Sequence, residues 1–306
     1  MNVLVLGGNG FIGSHLVDKL LLKGHAVRVF DKNEEHYRKP LPDVDYHLGE
    51  FGNRGLLSNA LNGIDIVVHL ISTTLPKTSN DDPVFDVQSN VIETLFLLEQ
   101  CVTNNIKKII FASSGGTVYG IPQYLPVPEE NQTDPICSYG ICKLTIEKYL
   151  NLFKQLHGLD FTIIRPSNPF GSRQNPFGIQ GVIPVFLGKI VRNEPIQIWG
   201  TGDIVRDFVY VEDLAEALFN AIIYNTTSKV FNIGSGVGAS LNDLIEIMRI
   251  VTERDFSVVY SNSRSYDVLQ IYLDISRAKK ELAWVPHTSL EKGIKYTWDF
   301  ISSLTL

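Results

Sequence analysis

The feature that most constrains this chain is Gly7-Gly8-Asn9-Gly10-Phe11-Ile12-Gly13, set between an apolar run and an amphipathic stretch. Val3 to Leu6 is short, apolar and closed by glycines, the pattern of a buried strand. From Phe11 to Lys23 the residues Phe11, Ile12, Leu16 and Leu20 recur at helical spacing, and Gly24 is a stop. The glycines fit Gly-x-Gly-x-x-Gly at 8, 10 and 13 and Gly-x-x-Gly-x-x-Gly at 7, 10 and 13. Such a turn lets a pyrophosphate approach the backbone, and the helix behind it offers unpaired N–H groups and a positive dipole end. A second strand, Ala26 to Phe30, leads into Asp31. A carboxylate there accepts from both ribose hydroxyls of an adenosine and repels a 2′-phosphate, which favours NAD over NADP. Lys32, beside it, weakens that preference.

Strand and helix patterns then alternate. Ile64 to Leu70 reads as a strand, Pro83 to Val102 as one long helix, Lys108 to Ala112 as a strand, Ser138 to Leu156 as a helix and Phe161 to Ile164 as a strand. This alternation predicts an α/β fold, a Rossmann-type doubly wound parallel sheet with helices on both faces. After Pro166 the loops lengthen and carry Pro, Gly and Asn, from Ser167 to Gly181 and from Trp199 to Asp207. The expected division is a dinucleotide-binding domain over 1–166, with some later segments returning to it, and a smaller C-terminal α/β substrate lobe over 167–306.

Charge and cysteines exclude several classes. The net charge is −6, so the attraction to a phosphate backbone that drives nucleic-acid binding is missing. Cys101, Cys137 and Cys142 have neither metal-ligand spacing nor the look of a disulfide framework, which predicts no metal and a reducing cytoplasm. Met1-Asn2 runs straight into the first strand without a basic n-region, and no apolar stretch approaches membrane-spanning length. The expectation is a cytoplasmic protein with no membrane or nucleic-acid partner.

Tyr139-Gly140-Ile141-Cys142-Lys143 puts a phenol and an ammonium one helical turn apart, on one face. A free tyrosine ionises near pH ~10 and is a poor base at neutrality. A lysine ammonium together with a positive nicotinamide would favour the phenolate. The phenolate can then take a proton from a sugar hydroxyl as hydride leaves for the cofactor.

Gly7 to Gly13, Ser113-Ser114-Gly115-Gly116-Thr117-Val118-Tyr119-Gly120, Tyr139 to Lys143, Arg165-Pro166-Ser167-Asn168-Pro169-Phe170-Gly171 and Arg206-Asp207-Phe208 together resemble the extended short-chain dehydrogenase/reductases. Within them the chain is most similar to the UDP-glucose 4-epimerase-like, NAD-dependent epimerase/dehydratase family, through Leu273 to Lys279. The resemblance implies a bound NAD, with Gly7, Asn9, Gly10, Phe11 and Ile12 around the pyrophosphate. It puts Asp31 and Lys32 at the adenosine ribose, and Glu50 and Phe51 beside the adenine. Leu70, Ile71 and Ser72 would line the cofactor, and Asn90, Ser113, Tyr139, Lys143 and Pro166 would approach the nicotinamide half. Tyr139 resembles the catalytic base and Lys143 its partner.

A nucleotide sugar carries a diphosphate, so cationic and amide donors must converge in the C-terminal lobe. By resemblance Asn168, Arg206 and Arg264 fill those roles, Asp267 stands near the nucleotide ribose, and Gln197 and Trp199 flank the base. Trp199 has a second reading, as a core aromatic. Val182 joins the substrate side, and Thr73, Thr74 and Lys77 face the sugar from the loop after His69. Ile271 is at the position that limits bulk at the sugar C2 group, and isoleucine is intermediate in size. The helices carrying Asn90 and Tyr139 resemble those that pair in family dimers, which implies a homodimer.

Three departures bear on the reaction. Gly115 stands where 4-epimerases carry the Ser or Thr that hydrogen-bonds the sugar O4. Ser114 and Thr117 are the hydroxyls nearby; Thr117 is the favoured substitute, with simple packing at the strand end as its other reading. Gly116 and Thr117 also occupy the places of the dehydratases' Asp-Glu pair, which disfavours dehydration. Glu93 stands where the family often has glycine. The leading expectation is C4 epimerisation of a UDP-sugar through a 4-keto intermediate. An NAD(P)H-dependent nucleotide-sugar 4-ketoreductase and a non-catalytic NAD sensor are the alternatives, and retention of Tyr139 and Lys143 argues against the sensor.

Overall fold

Val3 and Val5 pack on one face of the first strand, Leu4 and Leu6 on the other, and all four are fully buried. A strand that is apolar on both faces needs cover on both, and that demand organises the fold. The computed structural model describes residues 1–178, 180–262 and 268–304. The chain begins β1 (Asn2–Leu6), α1 (Phe11–Leu22), β2 (Ala26–Asp31), β3 (Val44–Leu48), α2 (Arg54–Ala60) and β4 (Ile66–His69). It continues α3 (Pro83–Asp86), a π-helical segment (Val87–Ile92), α4 (Glu93–Thr103), β5 (Lys108–Ala112), α5 (Ser138–His157) and β6 (Asp160–Pro166). The second half holds β7 (Asn168–Phe170), α6 (Val182–Val191), β8 (Ile196–Trp199), β9 (Val205–Tyr210), α7 (Val211–Ile223) and β10 (Val230–Ile233). Last come β11 (Gly238–Ser240), α8 (Leu241–Thr252), β12 (Val258–Ser261), β13 (Gln270–Ile271), α9 (Ser276–Glu281) and α10 (Leu290–Ser303).

Seven strands form one parallel sheet in the order β10-β6-β5-β4-β1-β2-β3. One apolar layer holds Leu16 and Leu20 of α1 with Leu214 and Leu218 of α7. The opposite layer holds Leu97 and Leu98 of α4 with Ile146 and Leu150 of α5. From β1 the chain runs to one edge through β2 and β3, then to the other through β4, β5 and β6. Ligands of such sheets bind at the carboxyl ends of the strands where the order reverses, which here is between β1 and β4.

The smaller unit is built around β9, with β7 and β13 parallel to it and β11 antiparallel. Its core joins Phe170, Leu187, Ile198, Phe208, Met248, Ile294 and Trp298. A separate parallel pair, β8 with β12, lies beside it. Among late segments, β10 is the edge strand of the large sheet beside β6, and Trp284 and Ala278 lie in its core. Among the described residues no helix is long and apolar enough to cross a membrane.

One expectation changes. Pro83 to Val102 is not one regular helix, because its middle turn is π-helical. The cause is local: the Asn90 amide donates to the Asp86 carbonyl at 3.1 Å, and Thr94 Oγ1 to the Asn90 carbonyl at 2.6 Å. Side chains that bond into the helical ladder displace its regular pairing. The strand β3 and the helix α2 have weak sequence signatures. Only Val44 of β3 is buried, and α2 buries just Leu57 and Ala60.

Candidate active site

The phosphate loop takes the shape its glycines demand. Gly7 N–H donates to the Phe30 carbonyl at 2.8 Å, which ties the turn to β2, and Gly7 adopts φ +82°. At Gly13 a Cβ would sit inside the contact radius of the Gly7 oxygen and the Gly8 Cα. Gly10 precedes the first turn of α1, and no side chain caps it. The first N–H groups of α1 are thereby left for an anion above the loop.

A cavity of about 230 Å³ on one side of the loop is lined by Gly7, Gly10, Asp31, Lys32, Glu50, Phe51, Leu70, Ile71 and Ser72. A second, of about 560 Å³, shares Gly7, Gly10, Leu70 and Ser72 and adds Phe11, Ile12, Ser113, Tyr139, Lys143 and Pro166. The Asp31 carboxylate is held by the N–H groups of Asn9 (3.1 Å) and Asn33 (3.0 Å), aimed from the end of β2. A groove with a carboxylate at one end, bare helix N–H groups in the middle and a Tyr/Lys pair at the other fits NAD.

Two of the expected cofactor positions have polar atoms engaged within the protein. Asn9 is buried; its Nδ2 donates to the Asn33 carbonyl at 2.7 Å and braces the loop against the end of β2, while its Oδ1 has no partner within the protein. Asn90 is also buried, with Nδ2 on Thr73 Oγ1 (2.8 Å) and Asp86 Oδ1 (2.9 Å) and Oδ1 taking the Thr73 N–H (3.0 Å). It supports the wall of the groove from behind.

On the substrate side Ser114, Thr117, Thr74, Asn168 and Arg206 line the 560 Å³ cavity. Asn168 and Arg206 continue into a third, of about 420 Å³, with Phe11, Ile12 and Val182. Thr74 faces differently from expectation: its hydroxyl donates to the buried Asp86 Oδ1 at 2.5 Å, so only the rest of the residue meets the cleft. Gln197 and Trp199 project from the exposed face of β8, and Trp199 is 41% exposed, which removes its reading as a core aromatic. Ile271 is buried with Val118, Tyr119, Val127 and Leu273. Arg264 and Asp267 lie outside the described residues.

Sequence reasoning passed over Ser167 and Gln174. With Thr117 Oγ1, the buried Ser167 Oγ and Gln174 Oε1 have no hydrogen-bond partner within the protein, and all three residues line the cleft. Buried unpartnered oxygens are costly, and a polar ligand would satisfy them. The signal for Gln174 was its place in the Pro- and Gly-rich loop from Ser167 to Gly181. Asp207 was also passed over. It is buried and accepts from Ser235 N (2.6 Å), Ser235 Oγ (2.7 Å), Leu273 N (3.1 Å) and Gly236 N (3.3 Å), which locks the strand carrying Arg206.

Gly115 does not face the cleft. A Cβ there would lie 2.6 Å from Leu273 Cδ1, 3.0 Å from the Arg165 oxygen and 3.1 Å from the Pro166 oxygen. Ser113 turns its hydroxyl away as well, to Glu147 Oε1 at 2.5 Å, and Glu147 is paired with the buried Arg165. Ser114 and Thr117 are the hydroxyls of this strand end that remain beside the cleft.

In the protein alone, burial sets the electrostatics of the pair. Burial pushes the Tyr139 phenol up to about 12; Cys137 and Asp86 push the same way, and a hydrogen bond with Ser72 opposes them. Lys143 does not bring it down within the protein alone. Its Nζ donates to the Ala112 carbonyl at 2.9 Å and lies over the Phe111 ring, 5.5 Å from the Tyr139 ring centre. Burial lowers the ammonium to about 8. The phenol is therefore protonated until a positive group enters the groove.

Comparison with known proteins agrees with this geometry. The model of the "NAD dependent epimerase/dehydratase family" matches residues 3–234. The UDP-glucose 4-epimerase of Mycolicibacterium smegmatis is 33% identical over 307 residues, covering 98% of each chain. A dTDP-4-dehydro-6-deoxyglucose reductase of Escherichia coli is 34% identical over 305 residues, covering 95% of each. The crystal structure of the UDP-glucose 4-epimerase of Thermotoga maritima with UDP-glucose superposes with a TM-score of 0.93 at 36% identity, covering 98% of each chain.

Proposed function

The chain belongs to the NAD dependent epimerase/dehydratase family, and from that premise we propose that it inverts C4 of a UDP-activated sugar through a transient 4-keto intermediate. The observation that carries this reading is one continuous cleft. The groove bearing Asp31 and the cavity bearing Asn168, Val182 and Arg206 each share lining residues with the 560 Å³ cavity between them, which Tyr139 and Lys143 line. Bound NAD would supply the hydride acceptor, then, once the keto sugar has turned, the hydride donor to its opposite face, and a positive ring near the phenol. Tyr139 then takes the proton of the sugar O4 hydroxyl and returns it after the keto sugar has turned over. Lys143, fixed on the Ala112 carbonyl, contributes positive charge near that phenolate. Arg206 and Asn168 hold the diphosphate, and Arg264 and Asp267 belong to the same nucleotide site in this reading.

Thr117 supplies the hydroxyl that meets O4, since its oxygen is buried in the cleft wall without a partner and Gly115 offers none. Thr117→Val keeps the shape and removes that oxygen. Turnover should fall about tenfold, the size of one hydrogen bond to a developing charge. A variant within twofold of wild type would remove Thr117 from the reaction.

The test of the function is direct. The purified protein is incubated without added cofactor with UDP-glucose, UDP-N-acetylglucosamine or UDP-glucuronate, and the anomeric protons are followed by NMR. One sugar should equilibrate with its C4 epimer; no change in any of the three overturns the reading. The second reading, a 4-ketoreductase, is favoured by the lack of room at Gly115 and by the reductase relative. It predicts stoichiometric consumption of NADH or NADPH on a 4-keto deoxy sugar.

The assembly in this reading is a homodimer. Val84, Phe85, Val87 and Ile92 on the α3–α4 stretch and Ile141, Leu152 and Leu156 on α5 are at least 41% exposed, an apolar surface of the kind that marks an interface. Light scattering should give twice the 34.3 kDa chain mass, and a monomer at micromolar concentration would reject the pairing. The three thiols are unpaired, as a reducing compartment keeps them, and on that ground we place the protein in the cytoplasm.

A further inference from the structure

Asp86 is fully buried at the end of α3, and among the described residues no Lys or Arg forms an ion pair with it. Its neighbours are neutral donors from three parts of the chain. Oδ1 accepts from Thr74 Oγ1 (2.5 Å) and Asn90 Nδ2 (2.9 Å), and Oδ2 from Ser138 Oγ (2.7 Å). Ser138 is the first residue of α5, and Tyr139 is the second. The cap residue of that helix, Cys137, makes no side-chain capping bond. The cap comes instead from the loop after β4: Asn80 Oδ1 accepts from Ser138 N–H at 2.9 Å and Ser79 Oγ from Tyr139 N–H at 3.0 Å. The start of the helix bearing the phenol is thus defined by a loop some sixty residues earlier, and Asp86 fastens both. A carboxylate at a helix N-terminus is favoured by the dipole, and neutral donors satisfy it without cancelling its charge.

We propose that Asp86 is a positioning residue for the acid–base chemistry of Tyr139, a buried anion that ties the cleft loop at Thr74 to the first turn of α5 and sets the field at the phenol. The charged and titratable groups around this point are Asp86, Cys137, Cys142, Lys143, His69 and Glu147. The negative charge of Asp86 disfavours the phenolate and favours the Lys143 ammonium. Its removal therefore makes Tyr139 ionise at lower pH, and the acid limb of the rate profile moves down with it.

This inference rests on Tyr139 being the proton carrier of the proposed reaction, so its test includes a reading that needs no turnover. The phenolate absorbance of the NAD-loaded protein is titrated and the Tyr139→Phe curve subtracted, for wild type, Asp86→Asn and Ser138→Ala. Asp86→Asn should lower the Tyr139 midpoint, while Ser138→Ala leaves it in place. On the high-pH plateau, where the phenolate is populated in both proteins, the lost tether should cut kcat about tenfold, with little change in KM for the sugar. Ser138→Ala keeps the charge and cuts one tether, so kcat should fall several-fold with the midpoint unmoved. A folded Asp86→Asn protein with wild-type midpoint and kcat overturns the proposal. If Asp86→Asn does not fold, Ser138→Ala with unchanged kcat overturns it. Wild-type protein that turns over no UDP-sugar yet shows the shifted midpoint in Asp86→Asn would reject the epimerase reading and leave the role of Asp86 standing.

Discussion

Tyr139→Phe should abolish C4 epimerisation while leaving the protein folded and able to bind NAD. The substitution deletes one oxygen. The backbone bond from residue 139 to Ser79 Oγ and the bond from Lys143 to the Ala112 carbonyl do not involve that oxygen, so the helix start and the lysine stay where they are. Positioned general acid–base groups contribute about 10²–10⁴-fold, and a loss near 10³-fold in kcat is expected. NMR of the anomeric protons measures the rate, and quenching of protein fluorescence by NAD measures binding. The pH dependence has a definite sign. Burial holds the phenol near 12 in the protein alone, so the wild-type rate should rise with pH until the phenolate is populated in the ternary complex. A rate in the Tyr139→Phe protein within tenfold of wild type would show that another group carries the proton.

Gly115→Ser restores the residue type that 4-epimerases usually carry, and it should harm the protein rather than improve it. The new Cβ would meet Leu273 Cδ1 at 2.6 Å and two backbone oxygens at 3.0 and 3.1 Å. Leu273 is itself buried in a cluster with Val118, Tyr119 and Val127, so it has little room to yield. The Arg165 and Pro166 oxygens belong to β6, beside which β5 runs in register. Overpacking of this kind costs about 1–3 kcal/mol. The melting temperature should fall by roughly 5 °C, and turnover should not rise. A stable Gly115→Ser protein that epimerises faster than wild type would mean that the strand end can open toward the sugar, and Thr117 would then lose its place as the O4 donor.

These two predictions separate what kind of information each site needs. The Tyr139–Lys143 spacing is a local property: four residues on a helix bring two side chains to one face whatever lies around them. The steric limit at Gly115 is not local, because the atoms that impose it come from β6 and from Leu273. The same division applies to the polar residues near the cleft. Asn90 and Thr74 have the composition of ligand-binding residues, yet their polar atoms close on each other and on Asp86. Asn9 sits in the glycine loop, yet it is turned toward Asn33. A polar side chain takes the partner that tertiary contact brings nearest, and sequence spacing does not reveal which partner that is.

By itself the sequence determined the doubly wound sheet, the glycine loop, the carboxylate at the end of β2 and the Tyr139–Lys143 pair on α5. Each is written in short-range terms: apolar runs that need cover on both faces, glycines where a Cβ cannot fit, and one helical turn between a phenol and an ammonium. Only the tertiary structure decided which hydroxyls face the cleft, that Lys143 bonds to the Ala112 carbonyl instead of the phenol, and that Asp86 accepts from Ser138 at the start of α5, 52 residues away. The reason is physical. Secondary structure follows from periodicity along the chain, whereas the direction of a buried polar group follows from the donors and acceptors that folding brings around it.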